Sequence, residues 1–105
     1  MLILTPPASY CASKGAVSSL TRQVALEYAK DRIHCNAICP GFTDTTMFED
    51  TTARGPPPEV FADRHPFGGV GTPEDVAKLA VVLASDDVSW LTGVNLPVDG
   101  GYVVR

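Results

Sequence analysis

Two short apolar runs lie far apart in this chain with a helix-forming stretch between them, and that arrangement constrains the fold most. The first, Ile33-His34-Cys35-Asn36-Ala37-Ile38, is stopped by Pro40-Gly41; the second, Val94 to Val98, is stopped by Asp99-Gly100-Gly101. Strands joined through a crossover helix pair in parallel, and such crossovers are right-handed. Another helical stretch precedes the first run, so the order is helix, strand, long loop, helix, strand. That order predicts an α/β unit, and no repeat or linker divides it.

The first helix is expected over Ser9 to Ala29, which holds no proline and one glycine, Gly15. At 100° per residue, Val17, Leu20, Val24 and Tyr28 fall within an arc of about 80°, which predicts the core-facing side. Arg22, Gln23, Glu27 and Lys30 lie elsewhere on the wheel. The second helix starts at Thr72-Pro73-Glu74-Asp75. Thr72 can cap, Pro73 suits the first helical position, and the acids suit the positive end of the dipole. It should turn Val76, Leu79, Ala80 and Leu83 inward and stop near Ser85-Asp86-Asp87. Between Thr43 and Gly71, Pro56-Pro57-Pro58, Pro66 and Gly68-Gly69 preclude one continuous element. A long loop is expected there, with a short helix around Glu59 to Asp63 and Pro58 in its first turn.

The 105 residues suffice for one small core but not for a six-stranded doubly wound sheet, since each βαβ unit takes roughly 30 residues or more. Eight Lys+Arg against twelve Asp+Glu give a net charge of −4 with no basic run, which excludes nucleic acid and anionic membranes as partners. The start, Met1-Leu2-Ile3-Leu4-Thr5-Pro6, lacks the basic flank and apolar length of a signal peptide. No stretch approaches the ~18 apolar residues of a membrane span. A cytoplasmic location is expected. The three cysteines, Cys11, Cys35 and Cys39, form no C-x-x-C. On one strand Cys35 and Cys39 would stand roughly 13 Å apart, beyond disulfide reach. His34 would point to the opposite face from Cys35, which argues against a metal site. Reduced, mostly buried thiols and no metal are expected.

Tyr10 and Lys14 carry the chemistry. Four residues apart on a helix, they share a face. Tyr10 superimposes on Tyr28 within the apolar arc, and Lys14 sits about 40° beyond it. An ammonium there is costly unless something uses it. A free phenol titrates near ~10, too high for efficient proton exchange at neutrality. A cation ~5–6 Å away at an effective dielectric of ~20 favours a phenolate by ~3 kcal/mol. Such a pair can donate a proton to a carbonyl oxygen or accept one from an alcohol. The bland alternative is two common residues at a fixed spacing, with Lys14 snorkelling to solvent.

The surroundings carry a resemblance. Ala8-Ser9-Tyr10-Cys11-Ala12-Ser13-Lys14-Gly15-Ala16-Val17, with Leu20-Thr21-Arg22 and Ala25-Leu26-Glu27, resembles the catalytic helix of the short-chain dehydrogenase/reductase family. Asn36-Ala37-Ile38-Cys39-Pro40-Gly41 looks like the family's next strand and its Pro-Gly turn. Gly71-Thr72-Pro73-Glu74-Asp75-Val76-Ala77, Leu83-Ala84-Ser85-Asp86, Thr92-Gly93 and Val98-Asp99-Gly100-Gly101 match its last helix, turn and closing strand. These motifs stand in the family's order from about residue 6 onward. The resemblance implies the C-terminal part of a Rossmann-like doubly wound parallel sheet.

It also implies an NAD(P)-dependent oxidoreductase acting on a small-molecule alcohol or carbonyl, with hydride passing between nicotinamide and carbonyl carbon. Tyr10 matches the general acid/base, and Lys14 matches the lysine that holds the nicotinamide ribose hydroxyls and favours the tyrosinate. Pro40 and Gly41 begin the turn passing the nicotinamide. Thr45 matches the threonine near its carboxamide or phosphate. Thr43 stands where the family usually has Ile or Val, and should preserve a backbone contact to the carboxamide. The loop from about Thr46 to Val70 matches the substrate-binding segment, where Met47, Phe48, Phe61 and Phe67 are candidates to line an apolar pocket; core packing explains the aromatics equally well.

The family's glycine-rich phosphate turn, its Asn-Asn-Ala-Gly segment and the serine about a dozen residues before the tyrosine have no counterpart here. Leu2-Ile3-Leu4 looks strand-like but stands too close to Tyr10 to be the family's preceding strand. Residues 1–105 therefore read as the catalytic and substrate-binding portion, from truncation, an alternative start or a faulty gene model. Alone, this portion is expected to bind no nicotinamide tightly and to reduce no carbonyl. Two other readings stand beside it: an interaction module pairing with full-length subunits, with Leu26 available for an interface, and a non-functional remnant. Substrate and the choice of NAD or NADP are not encoded in these motifs.

Overall fold

The computed structural model describes residues 6–105, so the strand-like Leu2-Ile3-Leu4 lies outside the described residues. Strand β1 (Ala37–Pro40) and strand β2 (Asn95–Val98) pair in parallel, Ala37 opposite Asn95 and Pro40 opposite Val98. β1 starts later than the sequence pattern predicts. Before Ala37, the main-chain bond from Gly93 N–H to the Cys35 carbonyl (2.7 Å) is supplemented by side-chain bridges between the two segments. The Cys35 amide donates to the Thr92 hydroxyl (3.0 Å), the Asn36 side-chain amide donates to the Leu91 carbonyl (3.1 Å), and Val94 N–H donates to Asn36 Oδ1 (3.3 Å). A polar residue with both donor and acceptor shortens the strand by taking over its pairing. Ile33 lies farther upstream, just after Arg32, whose φ of 58° turns the chain out of the short 3₁₀ turn Ala29–Asp31.

Helix α1 (Ala8–Glu27) forms as expected, but its seated face differs from the predicted one. Thr21 and Ala25 are buried and Ser18 and Val24 half-buried, whereas Val17, Leu20 and Tyr28 are exposed. The seated stripe lies roughly 80° around the helix from the apolar arc. Small side chains let α1 come close: a Cβ on Gly93 would lie 3.4 Å from that of Ala25. Thr21 satisfies its buried hydroxyl on the Val17 carbonyl (2.8 Å).

The segment expected as a long loop with one short helix holds two helices. Helix α2 (Thr46–Arg54) was not anticipated, because prolines and glycines downstream dominated the pattern. Its start is ordinary: Thr45 caps it by accepting from Phe48 N–H, Glu49 lies in the first turn and Arg54 in the last. Helix α3 (Pro58–Ala62) forms where Pro58 placed it, one residue short of the expected end. Helix α4 (Pro73–Ala84) opens on a full capping box between Thr72 and Asp75. Val76, Leu79 and Leu83 turn inward as predicted, while Ala80 is exposed. No helix among the described residues is long and apolar enough to cross a membrane.

The densest packing is aromatic. Phe61 on α3 is 2% exposed and meets the rings of Phe42 (centroids 4.7 Å) and Phe48 (5.5 Å) edge-on. His65 and Tyr102 extend the cluster over Phe42 at 5.8 and 6.0 Å. Edge-to-face pairs at these separations add to the apolar burial. This cluster seats the Thr46–Val70 region against the end of β1.

Candidate active site

A cleft of about 540 Å³ lies where β1 ends, between the start of α1 and helix α2. Tyr10 lines one side. The turn Pro40-Gly41-Phe42-Thr43 lines another, and Thr45, Met47 and Phe48 close it. Seven of the residues singled out from the sequence, Tyr10, Pro40, Gly41, Thr43, Thr45, Met47 and Phe48, thus share one cavity. Lys14 stands one helical turn along, with Nζ 5.3 Å from the Tyr10 ring centroid. Tyr10 is half exposed.

Two candidates are placed elsewhere. Phe61 is sealed in the aromatic core rather than on the cleft wall, and Phe67 is 91% exposed at a second, smaller cavity of about 390 Å³. Met47 lines the cleft while remaining largely exposed.

The turn is fixed by its neighbours. Gly41 N–H donates to the Val98 carbonyl (2.9 Å) and Gly71 N–H donates to the Phe42 carbonyl (2.9 Å). Asp44 N–H donates to the Gly71 carbonyl (2.8 Å), in a parallel bridge between Thr43 and Gly71. Residue 41 must be glycine for reasons of space, since a Cβ would fall 2.9 Å from both Asp99 Cα and His65 Nε2. The hydroxyls present are short-range: Thr43 Oγ1 donates to the Gly41 carbonyl (3.1 Å) and Thr45 Oγ1 to the Thr43 carbonyl (3.4 Å).

Sequence reasoning missed Asp99, Tyr102, Val103 and Cys39 as cleft residues. Asp99 accepts from Gly101 N–H (3.0 Å) and Val103 N–H (3.2 Å), which bends the chain after β2 back over the cleft. The Asp-Gly-Gly that ended the strand pattern was the available signal. The cysteines are free, Cys11 exposed and Cys35 and Cys39 half-buried; the exposure of Cys11 differs from expectation because its helix turn packs on nothing described. Among the described residues, no group of three or more His, Cys, Asp or Glu side chains is placed to hold a metal.

A family model described as Enoyl-(Acyl carrier protein) reductase matches residues 3–103. The chain is 44% identical over 98 residues to 2-(S)-hydroxypropyl-CoM dehydrogenase 3 of Xanthobacter autotrophicus, covering 90% of this chain and 38% of that protein. It superimposes with a TM-score of 0.86, at 38% identity, on a putative 2-deoxy-d-gluconate 3-dehydrogenase from Agrobacterium tumefaciens solved with bound NADP, covering 92% of this chain and 39% of that one. A short chain dehydrogenase family protein from Francisella tularensis also gives 0.86 at 28% identity, over 98% of this chain and 47% of the other. The chain spans less than half the length of these relatives. The small parallel sheet, the cleft at its end and a match across nearly the whole sequence agree: this chain belongs to the short-chain dehydrogenase/reductase family.

Proposed function

We propose that residues 1–105 form the proton-transfer and substrate side of an NAD(P)-dependent oxidoreductase that interconverts an alcohol and a carbonyl. The observation that carries this reading is one cleft with Tyr10 on its wall, Lys14 beside the Tyr10 ring and the Pro40–Thr43 turn on another side. The residues fit a nicotinamide: the cleft is large enough for a ring and a small substrate, and its walls carry two phenols and three threonine hydroxyls. Pro40, Gly41, Thr43 and Thr45 would hold the nicotinamide end, and Lys14 the ribose hydroxyls. When bound, the cofactor supplies or accepts the hydride at the carbinol carbon.

The chain's own residues handle the proton. In the reducing direction Tyr10 Oη donates a proton to the substrate oxygen as it becomes an alkoxide; in oxidation it removes the hydroxyl proton. The Lys14 ammonium stands beside the ring, its Nζ 5.3 Å from the Tyr10 centroid. Met47, Phe48 and Tyr102 line the substrate side of the cleft.

The test is a chimera in which residues 6–105 replace the matching stretch of the Xanthobacter dehydrogenase, assayed with NAD(H) and NADP(H) on a panel of secondary alcohols and ketones. Tyr10→Phe is expected to lower turnover by ~10²–10⁴-fold while leaving cofactor binding in place. Turnover that survives Tyr10→Phe overturns the assignment. The 105-residue chain alone is expected to bind no nicotinamide tightly, since no glycine-rich turn precedes Tyr10 in it; saturable binding in a fluorescence titration overturns that part.

A second reading, an interaction module pairing with full-length family subunits, is favoured by one observation: Val17, Leu20 and Leu26 on α1 are exposed, Leu26 at 73%. Co-elution of the chain with such a subunit in size-exclusion chromatography is the expected result for that reading.

A further inference from the structure

His65 is 5% exposed, and no step above uses it. It lies just past α3, in the region that resembles the substrate-binding segment, yet its ring reaches the turn on the opposite side of the core. Phe42 N–H donates to His65 Nε2 (3.3 Å), and His65 Nδ1 lies 2.9 Å from the Phe61 carbonyl. An amide donor requires Nε2 to be a bare acceptor, and a carbonyl requires Nδ1 to carry the hydrogen, so these partners specify one neutral tautomer. The Phe42 ring stands edge-on to the imidazole at 88°, and residue 41 has no room for a Cβ beside Nε2.

The amide before Phe42 and the one just past the turn find main-chain partners: Gly41 donates to the Val98 carbonyl and Asp44 to the Gly71 carbonyl. Phe42 N–H instead depends on a side chain from another segment. The Phe42 amide is partly buried, and leaving such a donor without an acceptor is unfavourable. We infer that His65 is a positioning residue: its Nδ1–H tautomer ties the substrate-side segment to the Pro40–Thr43 turn and so sets the cleft wall opposite Tyr10. The catalytic part of this inference rests on the oxidoreductase reading; the hold on the turn does not.

The experiment uses the ¹⁵N-labelled 105-residue chain and two variants. His65→Leu keeps apolar volume and removes the acceptor, while His65→Gln keeps a carbonyl oxygen near the place of Nε2. Long-range ¹H–¹⁵N correlations of the parent should show His65 protonated at Nδ1 and bare at Nε2; the reverse tautomer overturns the inference even if both variants fail to fold. In His65→Leu, exchange of the Phe42 amide should rise about tenfold and the Gly41–Thr43 resonances should move, and His65→Gln should restore most of both. Unchanged Phe42 exchange in a folded His65→Leu chain overturns it. In the chimera, His65→Leu should raise KM for cofactor and lower kcat about tenfold, with rescue by His65→Gln. Turnover absent from the parent chimera, with tautomer and exchange as expected, supports the hold on the turn and overturns the oxidoreductase reading alone.

Discussion

The two sides of the cleft are held in different ways. Tyr10 and Lys14 project from a 20-residue helix whose buried residues are Thr21 and Ala25, both in its second half. The opposite side rests on Phe42, Phe48, Phe61 and His65, rings that lock one another at centroid separations of 4.7 to 6.4 Å. Apolar burial scales with area, so the aromatic side carries far more stabilisation than contact through a hydroxyl and a methyl. Tyr10 and Lys14, the proposed proton-transfer pair, therefore sit on the weakly seated element, and the residues that shape the cavity sit on the strongly seated one. Low local stability is common among elements that contact ligands.

The largest effect that would sharpen this contrast is at Phe61. Phe61→Ala removes the one ring that touches both Phe42 and Phe48, and should cost about 3–5 kcal/mol with loss of the ordered Thr46–Val70 region. Urea unfolding followed by circular dichroism measures it. A loss under about 1 kcal/mol would mean that the aromatic side does not dominate.

The next effect lies on α1. Ala25→Leu pushes a larger side chain toward Gly93, whose Cβ position is already 3.4 Å away, and should cost about 1–3 kcal/mol. Leu20→Ser, at a position 62% exposed, should change stability by less than about 0.5 kcal/mol. The reverse ranking in thermal melts would break the comparison by showing that α1 seats through its apolar arc.

That arc marks where sequence reasoning stops. Parallel pairing, the capped start of α4, the Pro58 helix and the clustering of Tyr10 with the Pro40–Thr45 segment are all written in local pattern and motif. Hydrophobic periodicity also ranks Val17 and Leu20 as inward, because it measures side-chain chemistry and not distance of approach. The seat depends on small residues, Thr21, Ala25 and Gly93, that carry little periodic signal. Phe61 read as a pocket residue for the same reason: an aromatic in a proline-rich stretch gives no indication of which rings will surround it. Asn36 delays the start of β1 through a bridge to residues more than fifty positions away, and that pairing exists only once the strands meet. His65 offers no local signal, since its role depends on Phe42 N–H arriving from another segment.

The smallest effect concerns α4, which is set by local chain chemistry and should respond independently of either side of the cleft. Thr72 N–H and Oγ1 both donate to Asp75 Oδ2, at 2.8 and 2.9 Å, while Asp75 N–H donates to Thr72 Oγ1. The Thr72 backbone and hydroxyl bonds, with a lesser contribution from Lys78, hold the Asp75 carboxyl below its ordinary value. A carboxylate lowered on folding stabilises the folded state above its unfolded value of about 4, and that stability is lost as pH falls through the lower folded value. Thermal midpoints of the parent chain should therefore drop more steeply below about pH 4 than those of Asp75→Asn, which has no charge to lose. Because the group is fully exposed, the difference should be the smallest of the three and should shrink further in high salt. Acid limbs of equal slope would mean that the capping box contributes nothing through its charge and acts only through its hydrogen bonds.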